Sequence, residues 1–210
     1  MNNYRFFIVV TIFLSLTGCY ATTAVTSYTD PDYRNTTKFQ NVMVFGTGMN
    51  LELRQLCESE TVNELTKNNA KGIRSIDYIP PTRELSDDEI NEILIKTKVD
   101  SLLFITLIDT SIDSTYVPQT YHEGNSYSTV NVIGNYAYVN TYSSPGYTTG
   151  GYNIEEARAT YESTLHDVKN NRTAWKADGD SQGDLGVNFK DLTVSASKET
   201  VLKLIEDGLL

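Results

Sequence analysis

Asp178-Gly179-Asp180-Ser181-Gln182-Gly183-Asp184 spaces carboxylates as a calcium loop begins, with alternate side chains free to converge on a hard cation. An EF-hand needs Asp or Asn at its fifth place and Glu at its twelfth, but Gln182 and Phe189 stand there. A solvated loop is therefore expected. Asp178, Asp180 and Asp184 are the residues that would hold calcium, and no resident metal or cofactor is predicted. Gly46-Thr47-Gly48 joins an apolar run to a helix, where phosphates can sit on amide groups. A dinucleotide fingerprint lacks its third glycine, because position 51 is Leu, and no P-loop Gly-Lys-Ser/Thr follows, so a plain turn is the reading. His122 and His166 have no Cys or His at zinc spacing. Ser163, His166 and Asp167 are close in sequence, yet on a strand Ser163 and His166 point to opposite faces. Cys57 lies beside Leu56 and is flanked by Glu58 and Glu60, which predicts a buried, unreactive thiol.

The remaining thiol, Cys19, closes a different pattern. Residues 1–5 carry one basic side chain, Arg5, and Phe6 to Leu16 is an uncharged apolar run too short to span a bilayer. A core helix would show a polar face, and this run shows none. It ends in Leu16-Thr17-Gly18-Cys19, which resembles the lipobox of bacterial lipoproteins. The resemblance implies cleavage before Cys19, a diacylglycerol thioether on its sulfur, and a further acyl chain on the new amino terminus. Each buried methylene stabilises membrane binding by about 0.8 kcal/mol, so two or three chains hold where one would not. Residues 1–18 are thus a signal peptide, and 19–38, rich in Thr, Ser, Tyr, Asp and Asn, are predicted to be a tether. In a host with two membranes, Tyr20 after the cysteine, in place of the Asp that retains enteric lipoproteins, implies the outer membrane.

Removing the signal leaves 192 residues, enough for one domain with a sizeable core, and the net charge of −10 becomes −11 with Arg5 gone. Such an acidic domain will not bind nucleic acid or anionic lipid through bulk charge. With Cys19 lipidated, Cys57 is alone and no internal disulfide can form.

Residues 39–210 are read as a single α/β (α+β) domain with a mixed sheet. Val42 to Phe45 predicts a strand, and a helix follows with Leu53, Leu56, Cys57 and Leu65 near one face. Ile73 to Ile79 predicts a second strand. Ser86 and Glu89 form a capping box before Ile90, Ile93, Leu94 and Thr97 at helical spacing, with Leu85 and Ile90 as a staple. Leu102 to Ile108 is a near-continuous apolar run, expected as a central strand. Ala157, Ala159, Tyr161, Ser163 and Leu165 alternate with polar residues, and Trp175 and Ala177 are expected inward on the returning strand. A last helix ends at Gly208 with Val201, Leu202, Ile205 and Leu209 buried. The order is β-α-β-α-β, hairpin, β-β-α. It resembles the small α/β domain of envelope proteins such as the TolB amino-terminal domain and the lipoprotein activators of penicillin-binding proteins. Val99-Asp100-Ser101-Leu102-Leu103 and Thr160-Tyr161-Glu162, turning to Ala174-Trp175, resemble uncharacterised lipoproteins of this kind.

Between about 117 and 152 the composition breaks. Eight tyrosines fall within Tyr116 to Tyr152, among Ser, Thr, Asn and Gly. Thr129 to Ile133, Gly134-Asn135 and Tyr136 to Tyr142 read as a hairpin. Tyrosine combines apolar area with a polar tip and loses little entropy on contact. Tyr121, Tyr127, Tyr136, Tyr138, Tyr142 and Tyr147 are therefore the candidate binding residues, with ordinary hairpin packing over a sheet edge as the plainer role. The expected function is that of a lipid-anchored, non-catalytic envelope accessory binding an envelope protein or peptidoglycan. The alternative is a hydrolase of envelope polymers with dispersed catalytic residues, which a deep cleft holding convergent carboxylates or His166 would favour.

Overall fold

The computed structural model describes residues 21–34, 38–133 and 136–210, without the side chains of 130–133 and 136–139. The signal segment and Cys19 lie outside the described residues. The described residues divide into a body, within 1–113 and 156–210, and an arm, within 114–155.

In the body, a six-stranded mixed sheet has the order β1-β10-β9-β4-β2-β3. Its strands are β1 (Ala21–Thr29), β2 (Asn41–Thr47), β3 (Lys71–Arg74), β4 (Ser101–Val117), β9 (Tyr152–Asp167) and β10 (Arg172–Gly183), and β4 and β9 run on into the arm. β2 pairs in parallel with β3 and β4, while β1, β10 and β9 are antiparallel. The helices are α1 (Leu51–Lys67), α2 (Asp87–Thr97) and α3 (Phe189–Glu206).

Period two decides which face each strand buries. Val42, Val44, Leu103, Ile105, Tyr161, Leu165 and Trp175 share one core with Cys57 and Leu65 of α1 and Leu192, Val201 and Leu204 of α3. On the opposite face α2 makes a smaller cluster, in which Ile93 and Leu94 pack on Met43, Phe45 and Leu102. The capping box that starts α2 is formed: Glu89 N–H donates to Ser86 Oγ at 3.3 Å, and Ser86 N–H to Glu89 Oε2 at 2.8 Å. The central strand, the alternating strand and the inward Trp175 stand as expected.

Four expectations are corrected. The tether is not one: residues 21–29 form β1, paired along its whole length with β10. Its inward residues are Ala21, Thr23, Val25, Ser27 and Thr29, small and half hydroxylic, so the period carries little apolar signal. Thr23 Oγ1 bonds Ser181 Oγ at 2.7 Å and Ser195 Oγ at 2.8 Å, which satisfies the hydroxyls as they enter the core. Second, the strand expected over 73–79 ends at Arg74, and Ser75–Asp77 is a 3-10 turn. Third, the Asp- and Gly-rich stretch is not a loop, because β10 continues to Gly183. Fourth, α3 buries Leu204, whereas Leu202 is 36% exposed.

The pairings fix the ends of the sheet. β1 starts where β10 finishes, with Ala21 opposite Gly183, and Arg158 near the start of β9 is opposite Gln182. At the other end, Val168 N–H donates to the Asp100 carbonyl beside the start of β4. Ala21, Gly183, Arg158 and Asp113 therefore belong to one end, termed the upper end. The β9–β10 turn at Lys169–Asn171 lies at the lower end.

Candidate functional site

The arm is built from two antiparallel ribbons. β5 (Thr120–His122) pairs with β8 (Tyr147–Thr149), and β6 (Ser126–Ile133) with β7 (Tyr136–Ser143). The register is common to both: Thr120 faces Thr149, and six residues inward on each strand Ser126 faces Ser143. The arm is thus one long hairpin, relaxed between the ribbons at Glu123–Asn125 and Ser144–Gly146. Ser144 N–H still donates to the Asn125 carbonyl there at 2.9 Å. A side chain on Gly124 or Gly146 would collide with the opposite strand or Tyr121, so the relaxed step depends on those glycines.

Every described side chain from Thr120 to Thr129 is exposed. Among these described residues the arm is held by cross-strand pairs. Tyr127 and Tyr142 stack with ring centroids 5.3 Å apart, and His122 stacks on Tyr147 at 4.6 Å. His122 Nε2 also bonds Thr149 Oγ1 at 3.0 Å. Tyr121, Tyr127, Tyr142 and Tyr147 are between 53% and 65% exposed, so their rings are presented and not consumed as packing. Tyr138 is opposite Asn131 and Tyr136 opposite Ile133 in the backbone register. Their side chains, and the Gly134-Asn135 turn, lie outside the described residues.

In the body the histidine reading resolves plainly. Ser163 faces the core and its hydroxyl meets Thr200 Oγ1 at 3.5 Å, while His166 is on the other face, edge-on to Phe104 at 5.6 Å. His166 Nδ1 bonds Thr173 Oγ1 at 3.0 Å. Burial, then the Lys176 charge, lowers its pKa. Asn91, Leu94, Leu102, Phe104 and Val168 line an open, mainly apolar cleft of about 470 Å³ beside it. Asp167 is committed to its turn: Oδ1 accepts from Lys169 and Asn170 N–H, and Oδ2 from Asn170 Nδ2 and the Tyr33 hydroxyl. Burial by itself would raise the Asp167 pKa, but these donors outweigh it and hold the carboxyl low.

Asp178 and Asp180 project from the exposed side of β10, and Asp184 follows the strand end, so the calcium candidates are not folded around a centre. Among the described residues no group of three or more His, Cys, Asp or Glu side chains is placed to hold a metal ion. Asp180 joins Asp109, Ser111, Arg158, Thr160 and Gln182 around an open polar hollow of about 320 Å³, where Arg158 Nε is paired with Asp113 at 2.6 Å.

Sequence reasoning missed one buried carboxylate. Glu58 is fully buried on α1, next to Cys57. Its Oε1 accepts from Gly46 N–H at 3.2 Å, Arg54 Nε at 2.9 Å and Ser75 Oγ at 2.8 Å, and its Oε2 from Ile76 N–H at 2.9 Å. The side chain ties α1 to the ends of β2 and β3. The Arg54–Glu58 spacing of four was a readable signal. The expected plain turn after β2 has a steric cause at Gly48, whose φ is 69° and where any Cβ would run into the Leu107 carbonyl oxygen. Cys57 itself is buried and free, and burial pushes its thiol up to about 11.

No family profile matches the chain, and no curated protein matches it in sequence. Solved structures do. The chain is similar to the PelC dodecamer from Paraburkholderia phytofirmans at 12% identity and a TM-score of 0.49, over 86% of this chain and 96% of that one. It is similar to a PDZ domain protein from Parabacteroides distasonis at 12% identity and a TM-score of 0.37, over 96% of this chain and 39% of that one. It is also similar to a lipoprotein from Neisseria meningitidis at 10% identity and a TM-score of 0.40, over 80% of this chain and 99% of that one.

Proposed function

We propose that this chain is a lipid-anchored envelope accessory with no catalysis of its own, and that its arm captures another envelope component, a protein or peptidoglycan. The observation that carries the reading is the exposed display of Tyr121, Tyr127, Tyr142 and Tyr147 on an arm with its own register. Rigid aromatic rings with polar tips gain contact area at low entropic cost. The anchor is the thioether on Cys19 that the lipobox resemblance implies. Among the described residues no helix is long and apolar enough to cross a membrane. In a two-membrane host, Tyr20 directs the chain to the outer membrane.

The test replaces residues 119–151 by a short Gly/Ser linker. Gly151 N–H donates to the Val117 carbonyl at 2.8 Å, so the ends to be joined are already adjacent. The shortened chain unfolds cooperatively and no longer crosslinks to its partner in native membranes. Retained crosslinking overturns the binding role of the arm, and an insoluble product shows that the arm is structural. Cys19→Ser abolishes lipid labelling. Unchanged labelling and membrane retention in that variant, or cofractionation of the mature chain with inner-membrane markers, would count against the anchor or its address respectively.

A further inference from the structure

We infer that two copies of this chain join through their arms, the free edge of β7 pairing antiparallel with the same edge of β7 in the second copy. Backbone direction decides which groups are free. In an antiparallel ribbon the residues of a hydrogen-bonded pair aim N–H and C=O at each other, and those of the next pair aim them outward. The bond from Ser144 N–H to the Asn125 carbonyl makes these two a hydrogen-bonded pair. The register carries the alternation on: Tyr127/Tyr142 and Thr129/Asn140 turn inward, and Ser126/Ser143 and Ser128/Thr141 outward. The Ser128 and Thr141 hydroxyls meet at 2.9 Å, as the closer side chains of a non-hydrogen-bonded pair do. Along β7, Ala137, Val139, Thr141 and Ser143 therefore hold their backbone donors and acceptors on the outer side. Among the described residues no strand takes them, since β6 and β7 form a sheet of two.

Proteins blunt such an edge with charge, proline or a bulge. β7 has none of these: Tyr136–Ser143 keeps an unbroken register and holds no charged residue and no proline. Residues 124–154 carry no Asp, Glu, Lys or Arg, in a chain of net charge −10. Two bodies repel each other and two arms do not. Uncharged segments of high strand propensity without proline add to their own kind, and a ribbon of two strands gains stability from further ones. The second copy is the occupant because β7 already pairs with β6, a strand of the same uncharged composition. A two-fold axis at Asn140 sets Asn140 opposite itself, Val139 opposite Thr141 and Tyr138 opposite Tyr142. That register extends the row of aromatic pairs begun by Tyr127 and Tyr142. Two β6 strands paired about Thr129 would instead set Tyr127 opposite Asn131, so the aromatic pairs select β7. An isologous contact of this kind closes as a dimer.

The experiment uses the full chain in the cells that make it, with copper phenanthroline as oxidant and the chain without an added cysteine as background. Cys57 is buried and takes no part. At the two-fold axis Asn140→Cys meets its own copy in a non-hydrogen-bonded pair, with Cα atoms about 4.5 Å apart and within disulfide reach. It should form a disulfide dimer several-fold faster than Thr129→Cys, which is equally exposed on β6. Adding Thr141→Pro removes one outward N–H. Adding Thr141→Lys keeps every backbone group and sets like charges diagonally across the axis. Each should bring the Asn140→Cys rate down to that of Thr129→Cys, and the lysine variant decides the matter should proline loosen the ribbon itself. Equal rates at 140 and 129, or an Asn140→Cys dimer indifferent to Thr141→Lys, overturn the pairing. Faster crosslinking at 129 overturns the choice of edge. Thr141→Lys leaves the tyrosine rings in place, so it keeps the partner crosslinking that the 119–151 linker variant loses, and the failure of either reading does not carry the other.

Discussion

Glu58→Ala should be among the most damaging single substitutions in the body. The carboxylate is fully buried and accepts four hydrogen bonds, from two backbone N–H groups, one hydroxyl and Arg54. Removing one partner of a buried ion pair costs about 3–5 kcal/mol, because the other charge stays behind. Arg54 is 19% exposed and can turn partly to water, which favours the low end of that range. The Gly46 amide is buried and the Ile76 amide partly so, and an orphaned buried donor costs about 1–3 kcal/mol. About 3 kcal/mol for the broken pair and at least about 1 kcal/mol for each amide give a loss of about 5 kcal/mol or more, against a total stability of roughly 5–15 kcal/mol for a domain. Urea unfolding followed by Trp175 emission measures it, since that indole is buried in the main core. The midpoint should fall with little change in slope. Replacing both Arg54 and Glu58 by Met should recover the part due to the stranded charge, while the part due to the Gly46 and Ile76 amides remains. A loss below about 1 kcal/mol for Glu58→Ala, or a double variant no better than the single one, would refute the account of Glu58 as the clasp between α1 and the ends of β2 and β3.

Cys57 should resist thiol reagents at pH 8 in the folded protein and react fully in urea, as burial keeps its thiol neutral. Because its folded pKa, about 11, lies above the ordinary thiol value of 9.0, the stability it lends is complete below pH 9 and is lost as pH rises toward 11. That component is on the order of 2–3 kcal/mol and should be missing from the pH profile of Cys57→Ala. Asp207→Ala removes the acceptor of the Trp175 Nε1–H bond at 2.7 Å and of the Ser27 hydroxyl, so it should cost about 1–3 kcal/mol and shift Trp175 emission. Unchanged emission would show that the indole is positioned by packing alone. Tyr127→Ala or Tyr142→Ala should each weaken the arm by about 0.5–1.5 kcal/mol, seen as faster amide exchange in β6 and β7 with no change in unfolding of the body. A lowered midpoint for the body would contradict the division into two units.

What the sequence made legible is what apolar residues wrote. Leu102 to Leu107 reads as a central strand because both its faces meet packing, with Ile108 exposed beyond it, and the Ser86–Glu89 box announces α2 because both its hydrogen bonds are local. The arm shows as a break in composition, and its described tyrosines are exposed. β1 and the far half of β10 were hidden by their own inner faces. Gly179, Ser181 and Gly183 alternate with exposed Asp178, Asp180 and Gln182, so the period is intact but written in small residues. Close approach to α3 asks for this on β1, where Thr23 meets Ser195. The partners of β1 are remote in sequence, so no local window contains the signal. Glu58 was hidden for a related reason: its acceptors' donors come from three separate segments, and only Arg54 is near in sequence.

The pairing of the first strand with the last one gives folding a fixed timetable. Ala21 to Thr29 wait for Gly183 to Trp175, a separation of about 150 residues, and such non-local contacts are slow to form. A chain emerging amino terminus first cannot complete its edge until almost all of it has been delivered. Truncation anywhere before β10 strands β1 without a neighbour, its unpaired amides open to other chains. The sheet therefore closes late: only a chain that has reached Gly183 can pair all of β1.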